Sequence, residues 1–309
     1  MKKRDCFAPA GLAMTACLIA LLLVGCARAR VVRNRPEKPA APVAVDGAVS
    51  ATVTPSKIGP VVAPHLPASE HLEYQISWWG VPVALLTLDS NPVTDKADME
   101  KLSKDGFHPE NLLKLDCQAR TNTYLEAFFP IRVRLVSFLD PETRTPRRFE
   151  AFVRRRFHKH ESVEIFHPEE GKSFHQLPKG RSVTVPIGPD TQDGLSLLYF
   201  VRTLPFQMGQ EIPMEVSADG QNWPLKGKIV QTGTIQIKEM KSWPVFAGEG
   251  ELAYPLPFFR GARALLWLSA DEERIPLLAK VNSHIGPVTL VLTRRTTAGS
   301  PSPLTKNNK

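Results

Sequence analysis

From residue 70 to residue 295, apolar and polar side chains alternate with a period of two. Leu72, Tyr74, Ile76 and Trp78 share one phase, with Glu73, Gln75 and Ser77 on the other. Leu113, Leu115, Cys117 and Ala119 alternate with Lys114, Asp116, Gln118 and Arg120. Ile131, Val133 and Leu135 oppose Arg132 and Arg134, while Ile212, Met214 and Val216 oppose Glu211, Glu215 and Ser217. Val288, Leu290 and Leu292 repeat the pattern near the end. A strict period of two describes antiparallel strands with one buried and one wet face. Turn signals such as Ala218-Asp219-Gly220 and Glu169-Glu170-Gly171 separate the runs. The pattern predicts roughly a dozen strands in a mostly-β fold: a single antiparallel curved sheet, closed into a barrel-like or sandwich domain.

One segment breaks the alternation. Residues 193–203 are good helix formers, with Asp193 placed to cap the start and Pro205 placed to stop the run. Leu195, Leu198 and Arg202 recur at helical spacing, and Leu195, Leu198, Tyr199 and Val201 supply apolar surface. A helix this short is marginal alone. It is therefore expected to bury against the sheet, as a plug or as the lid of a ligand pocket.

The N-terminus has a different character. Lys2, Lys3 and Arg4 precede an apolar run from Phe7 to Val24, which ends in Leu23-Val24-Gly25-Cys26. A charged start, an apolar body and small residues at the end describe a secretory signal. The run falls slightly short of the ~20 residues a spanning helix needs. The last four residues resemble the lipobox of bacterial lipoproteins. That resemblance implies that the Cys26 thiol carries diacylglycerol, with cleavage just before it. In enterobacterial lipoproteins an Asp after the cysteine implies retention in the inner membrane, so Ala27 favours the outer membrane. The expected organisation is a signal over residues 1–25, a lipidated Cys26 heading a Pro- and Ala-rich disordered linker over 26–67, a β domain over 68–295 and a disordered tail over 296–309. A flexible linker of that length spans about 35 Å.

Composition sharpens this picture in two ways. The formal net charge is +8, which suits anionic headgroups, cell-wall polymers or acidic partners; an exported chain makes nucleic acid a poor partner. Of four cysteines, Cys6 and Cys17 leave with the signal and Cys26 carries lipid. Cys117 is left without a disulfide partner, and its apolar phase predicts a buried, inert thiol.

Chemical motifs are mostly missing. The chain contains no Gly-x-Ser-x-Gly elbow, no His-Glu-x-x-His and no Cys-x-x-Cys. Gly171-Lys172-Ser173 suggests a phosphate loop, but Phe166 occupies the place of its first glycine. His158, His160, His167 and His175 are the best metal candidates. Their alternative reading is a solvated basic hairpin, and no metal or cofactor is expected. Arg147, Arg148, Arg154, Arg155 and Arg156 form the densest cationic run. It reads either as a basic surface for lipid phosphates or an acidic partner, or as an edge strand guarded by charge. Trp78 and Trp79, and Phe258 and Phe259 within Pro255-Leu256-Pro257-Phe258-Phe259, are bulky groups beside turns. They line either a pocket mouth or the core. Arg202 and Asp271 read as structural, and as a candidate buried pair.

Three segments together resemble a bacterial envelope family, the domain of unknown function 3108 family. They are residues 72–83, from Leu72 through Trp78-Trp79-Gly80; residues 193–202 followed by Gly209; and Leu266-Trp267-Leu268-Ser269-Ala270-Asp271 with Arg274-Ile275-Pro276-Leu277 and Gly286. Pro82 and Val83 depart from the small residues of the first motif. The resemblance implies a mostly-β fold in the periplasm and no particular reaction. The combined expectation is a lipid-anchored, non-enzymatic β domain that binds an apolar or amphiphilic envelope component or a partner protein. The alternatives are a hydrolase acting on cell-wall or lipid material and a structural assembly accessory.

Overall fold

The structure is a computed structural model that describes residues 51–55, 66–67, 69–176, 181–237, 242–252, 263–283 and 286–297. Among the described residues, fifteen strands form one antiparallel sheet. They are β1 (Ala51–Pro55), β2 (Glu70–Trp78), β3 (Val81–Pro92), β4 (Leu113–Thr121), β5 (Arg132–Asp140), β6 (Thr145–Arg155), β7 (His158–His167), β8 (Lys172–Gln176), β9 (Ser182–Pro186), β10 (Glu211–Ala218), β11 (Gln221–Ile237), β12 (Ser242–Leu252), β13 (Arg263–Ser269), β14 (Pro276–Ser283) and β15 (Gly286–Thr297). The path runs β1-β11-β12-β13-β14-β15-β2 and on through β3 to β9 in order, while β10 pairs with β11. Among the described residues three α-helices accompany the sheet: α1 (Lys96–Lys104), α2 (Thr123–Glu126) and α3 (Ser196–Thr203).

The alternating residues do what their phase demands. Leu72, Ile76, Leu88, Leu115 and Leu135 are buried along neighbouring strands, and Cys117 lies among them. The β2–β3 hairpin is tight because Trp79 and Gly80 both take positive φ, 51° and 76°. That pair of left-handed residues matches the twist of the flanking strands. The Trp79 ring then lies across Gly286, where an added Cβ would stand 2.1 Å from its Nε1; only glycine fits there.

α3 sits inside the curve of the sheet. Asp193 caps it as expected: Oδ1 accepts from the Leu195 and Ser196 amides at 2.7 and 2.8 Å, and Oδ2 accepts from Ser137 Oγ of β5 at 2.6 Å. Leu195, just before the helix, and Tyr199 and Arg202 within it are buried. Arg202 pairs with Glu70 at the start of β2, at 2.7 Å, and donates to the Glu273 carbonyl at 2.9 Å. Arg295 joins the same carboxylate at 3.0 Å. Arg202 and Asp271, both read as structural, thus do not form the candidate pair. Asp271 instead accepts from Ser269 Oγ at 2.5 Å and from the Arg274 amide at 3.2 Å, and so holds the β13–β14 turn.

Further differences from the sequence reading have local causes. α1 packs on the outer face, where Val93, Leu102, Leu112, Val136 and Phe138 make a small second core. Asp95 caps it, accepting from the Ala97 and Asp98 amides. Asp98 is held below the usual carboxylate range: burial works against the charge, and hydrogen bonds from Lys114 and Lys101 outweigh it. β1 lies inside the stretch read as linker, because Ala51-Thr52-Val53-Thr54 is rich in strand formers and pairs with Thr234–Ile237 of β11. β15 continues to Thr297. β6, read as a possible edge strand, lies between β5 and β7.

The two ends of the sheet meet at a seam without a continuous ladder. The segment after β9 bridges β10 through two backbone bonds, Gln192 N to Glu215 O at 2.9 Å and Ser217 N to Gln192 O at 2.8 Å. Side chains complete the joint. Glu164 of β7 accepts from Ser173 Oγ of β8 at 2.6 Å and from Ser217 Oγ of β10. Thr191 Oγ1 donates to Glu215 at 2.5 Å, and Asn222 donates to the Pro186 carbonyl.

Candidate functional site

Between α3 and the inner face of β10–β14 lies an apolar cleft with a volume of about 160 Å³. Leu197, Leu198 and Val201 of α3 form one wall, and Ile212 and Met214 of β10 another. The floor is low because its central positions are small. Gly227, Gly250 and Ala264 stand opposite one another on β11, β12 and β13, and Val281 continues the row on β14. None of these glycines has positive φ. At Gly250 and Gly248 an added Cβ would meet only ordinary contacts, the nearest at 3.7 Å. Their smallness therefore makes room above the sheet and is not a backbone requirement. Phe206 and Phe246 line the opposite end, where the buried Arg274 guanidinium stacks over Phe206 at 4.0 Å. The volume matches a cavity that holds a benzene-sized group, about 150 Å³, and falls below the ≈300–1,000 Å³ of drug-sized sites. It has room for a short stretch of one alkyl chain.

A second concavity, of about 740 Å³, lies on the outer face across β2–β7. One transverse level carries Arg120, Arg132, Arg154 and Lys159 on successive strands. The next level carries Gln118, Arg134, Phe152 and Glu161, with Arg134 bound by Asp116 at 3.1 and 2.6 Å.

The predicted residues divide between these places. Leu198 lines the cleft; Leu195 and Tyr199 turn to the core on the other side of the helix. Trp78 packs against the core and Trp79 is 65% exposed at the hairpin tip, so neither reaches the cleft. Phe258, Phe259 and Cys26 lie outside the described residues. Of the arginine run, Arg147 pairs with Asp140 and Glu169, and Arg148 is buried against Asp105 and Glu150. These two serve the fold, which corrects their assignment to a basic surface. Arg154 and Arg156 are exposed and Arg155 is half-buried. Val201 and Met214 stand out in the sequence only as apolar positions of a helix and a strand, and Leu197, Gly227, Gly248 and Gly250 not at all, although glycines inside predicted strands are a signal.

The histidines do not converge. His158 is exposed. His167 stacks on the rings of Phe107 and Phe174 at 5.2 and 5.7 Å. His175 stands opposite Glu164 in the ladder, and burial lowers its pKa. Among the described residues, no three His, Cys, Asp or Glu side chains are grouped to hold a metal. Glu164, Ser173, Ser217 and His175 do come together, but all are buried at the seam, away from the cleft. Burial pushes Glu164 up to about 7 and Asp193 up to about 6. The Cys117 thiol is buried, and burial pushes its pKa far above its ordinary range, which disfavours the thiolate.

No curated protein matches the sequence. The crystal structure of a beta-barrel-like protein of domain of unknown function DUF1849 from Brucella abortus is similar in fold. Its TM-score is 0.52 at 10% identity, over 76% of this chain and 100% of that one. Residues 74–293 match the family described as "Protein of unknown function (DUF3108)". This span takes in the hairpin at Trp79, the helix that carries Tyr199 and Arg202, and the strands that floor the cleft, and the chain belongs to the DUF3108 family.

Proposed function

We propose that the protein binds the alkyl chain of an amphiphilic envelope lipid in the cleft between α3 and β10–β14, while lipid on Cys26 tethers it to the membrane. One observation carries this reading: a cleft walled by Leu, Val, Ile and Met side chains whose floor is kept low by Gly248 and Gly250. A core built only for stability favours filled space, because unfilled apolar volume costs about 24 cal/mol per Å³. Retained apolar space favours an occupant. The lipobox at Cys26 supports the tether, and two or three acyl chains anchor stably where one does not.

Mass spectrometry of apolar molecules extracted from the purified full chain tests the reading. Long-chain lipid is expected in near-stoichiometric amount. It should be lost in Gly250→Val, which fills the floor on a strand that tolerates a side chain. Absence of lipid from the unaltered protein, or full retention in Gly250→Val, would sink the reading. The tether is tested separately by metabolic labelling with a fatty acid. Label should mark the protein and vanish in Cys26→Ser; label that persists there rules out this anchor.

A further inference from the structure

The outer face of β4–β7 carries an arrangement that folding alone disfavours. Arg120, Arg132, Arg154 and Lys159 stand directly opposite one another on four neighbouring strands, and all four are exposed. Like charges in directly opposite positions destabilise a sheet. Two carboxylates reach this level, Glu126 to Arg132 and Glu161 to Lys159, each at 2.6 Å. Among the described residues Arg120 and Arg154 have no ion-pair partner. Arg156 extends the charge around the β6–β7 turn.

The same end of the sheet also exposes aromatic rings. Because neighbouring strands are antiparallel, the connections at residues 79–80, 122–131 and 156–157 all emerge there. All three carry rings out of the core: Trp79 is 65%, Phe128 67% and Phe157 83% exposed, and Tyr124 and Phe129 accompany Phe128. The Trp79 ring lies over Gly286, whose missing side chain leaves it room. Rings on separate hairpin tips, backed by unpaired guanidinium groups, fit a water–lipid boundary. There the rings enter the interface and the cations meet phosphates.

We infer that this end of the sheet docks on an anionic phospholipid bilayer. The inference does not depend on what the cleft holds. The row Gly250, Ala264 and Val281 nevertheless reaches the level of Trp78 at that same end. On the reading above, a chain leaving the bilayer would have a short path into the cleft.

Tryptophan quenching separates docking from tethering. The full chain is reconstituted on vesicles of phosphatidylcholine and phosphatidylglycerol, the latter brominated on its acyl chains. Docking predicts quenching that disappears in Trp79→Phe and weakens as salt rises. Arg120→Gln and Arg154→Gln should each lower the docked-to-undocked ratio about fivefold. Phe157→Ser should lower it without any change of charge. All these positions are exposed, so unchanged circular dichroism is expected to accompany each loss. Three outcomes overturn the inference. One is no quenching of Trp79 on anionic vesicles, which would leave an acidic protein as the partner of this face. Another is equal quenching on brominated phosphatidylcholine alone. The last is quenching unaltered by the arginine or Phe157 changes.

Discussion

Burial sets the charge state of several single residues in this protein. Glu164 is raised from its ordinary 4.5 to about 7, and Asp193 from 3.8 to about 6, chiefly because burial disfavours the charged carboxylate. Both hold protons in the folded state at pH values where the unfolded chain has released them. Their stabilisation is complete below pH 4 and is lost as pH rises toward 7. A shift of this size at Glu164 is worth about 3 kcal/mol. Glu164→Gln keeps a neutral side chain that still accepts from Ser173 and Ser217. It should therefore flatten the fall in melting temperature between pH 5 and 8 and be the more stable form at pH 8. An unchanged pH profile in that variant would contradict the burial argument. Arg202→Met should cost about 3–5 kcal/mol in denaturant unfolding, because Glu70 loses its closest partner in a dry site. The buried Cys117 could be read from sequence, since strand phase fixes burial. The partner of Arg202 could not, because Glu70 lies 132 positions away and only the completed sheet brings them together.

At the scale of elements, α3 announced itself through its capping Asp193, its terminating Pro205 and its helical spacing. What spacing could not give was a division of its faces. Leu195 points to the core and is 5% exposed, whereas Leu198 is half-buried and borders the cleft. Leu195→Ala should cost about 2–5 kcal/mol. Leu198→Ala should cost roughly 1–2 kcal/mol, because less of its surface is withdrawn from water, while lowering or altering the lipid recovered with the protein. Thermal denaturation and mass spectrometry on the two variants distinguish a lid from a plug. Equal losses of stability with unchanged lipid would make α3 a plug only. α1 escaped notice because its apolar residues Met99 and Leu102 are few and most of its other positions are charged or polar. Its burial depends on Val136 and Phe138, which sit on the otherwise wet face of β5.

For the molecule as a whole, alternation identified the sheet and its antiparallel pairing, because period two is a direct imprint of one buried face. Closure left no such imprint: the bonds of the seam join residues as distant as Glu164 and Ser217 through side chains of no distinctive spacing. A chain beginning at Ala68 loses β1, an edge strand, and should still unfold in one cooperative transition; failure to recover folded, soluble protein would mean that the preceding residues are part of the core. The seam has a consequence for how the protein opens. A closed ladder has no first place to part, but a ring joined by a short bridge and a few hydroxyl–carboxylate contacts does. Opening there frees β9 and β10 while β2–β6 stay paired on both sides, so native-state hydrogen exchange should be fastest at the amides of β9 and β10 and slowest at those of β2–β6. The cleft borders β10, so parting the seam would also widen the way in beneath α3, and a mildly alkaline medium, which ionises Glu164, should speed both.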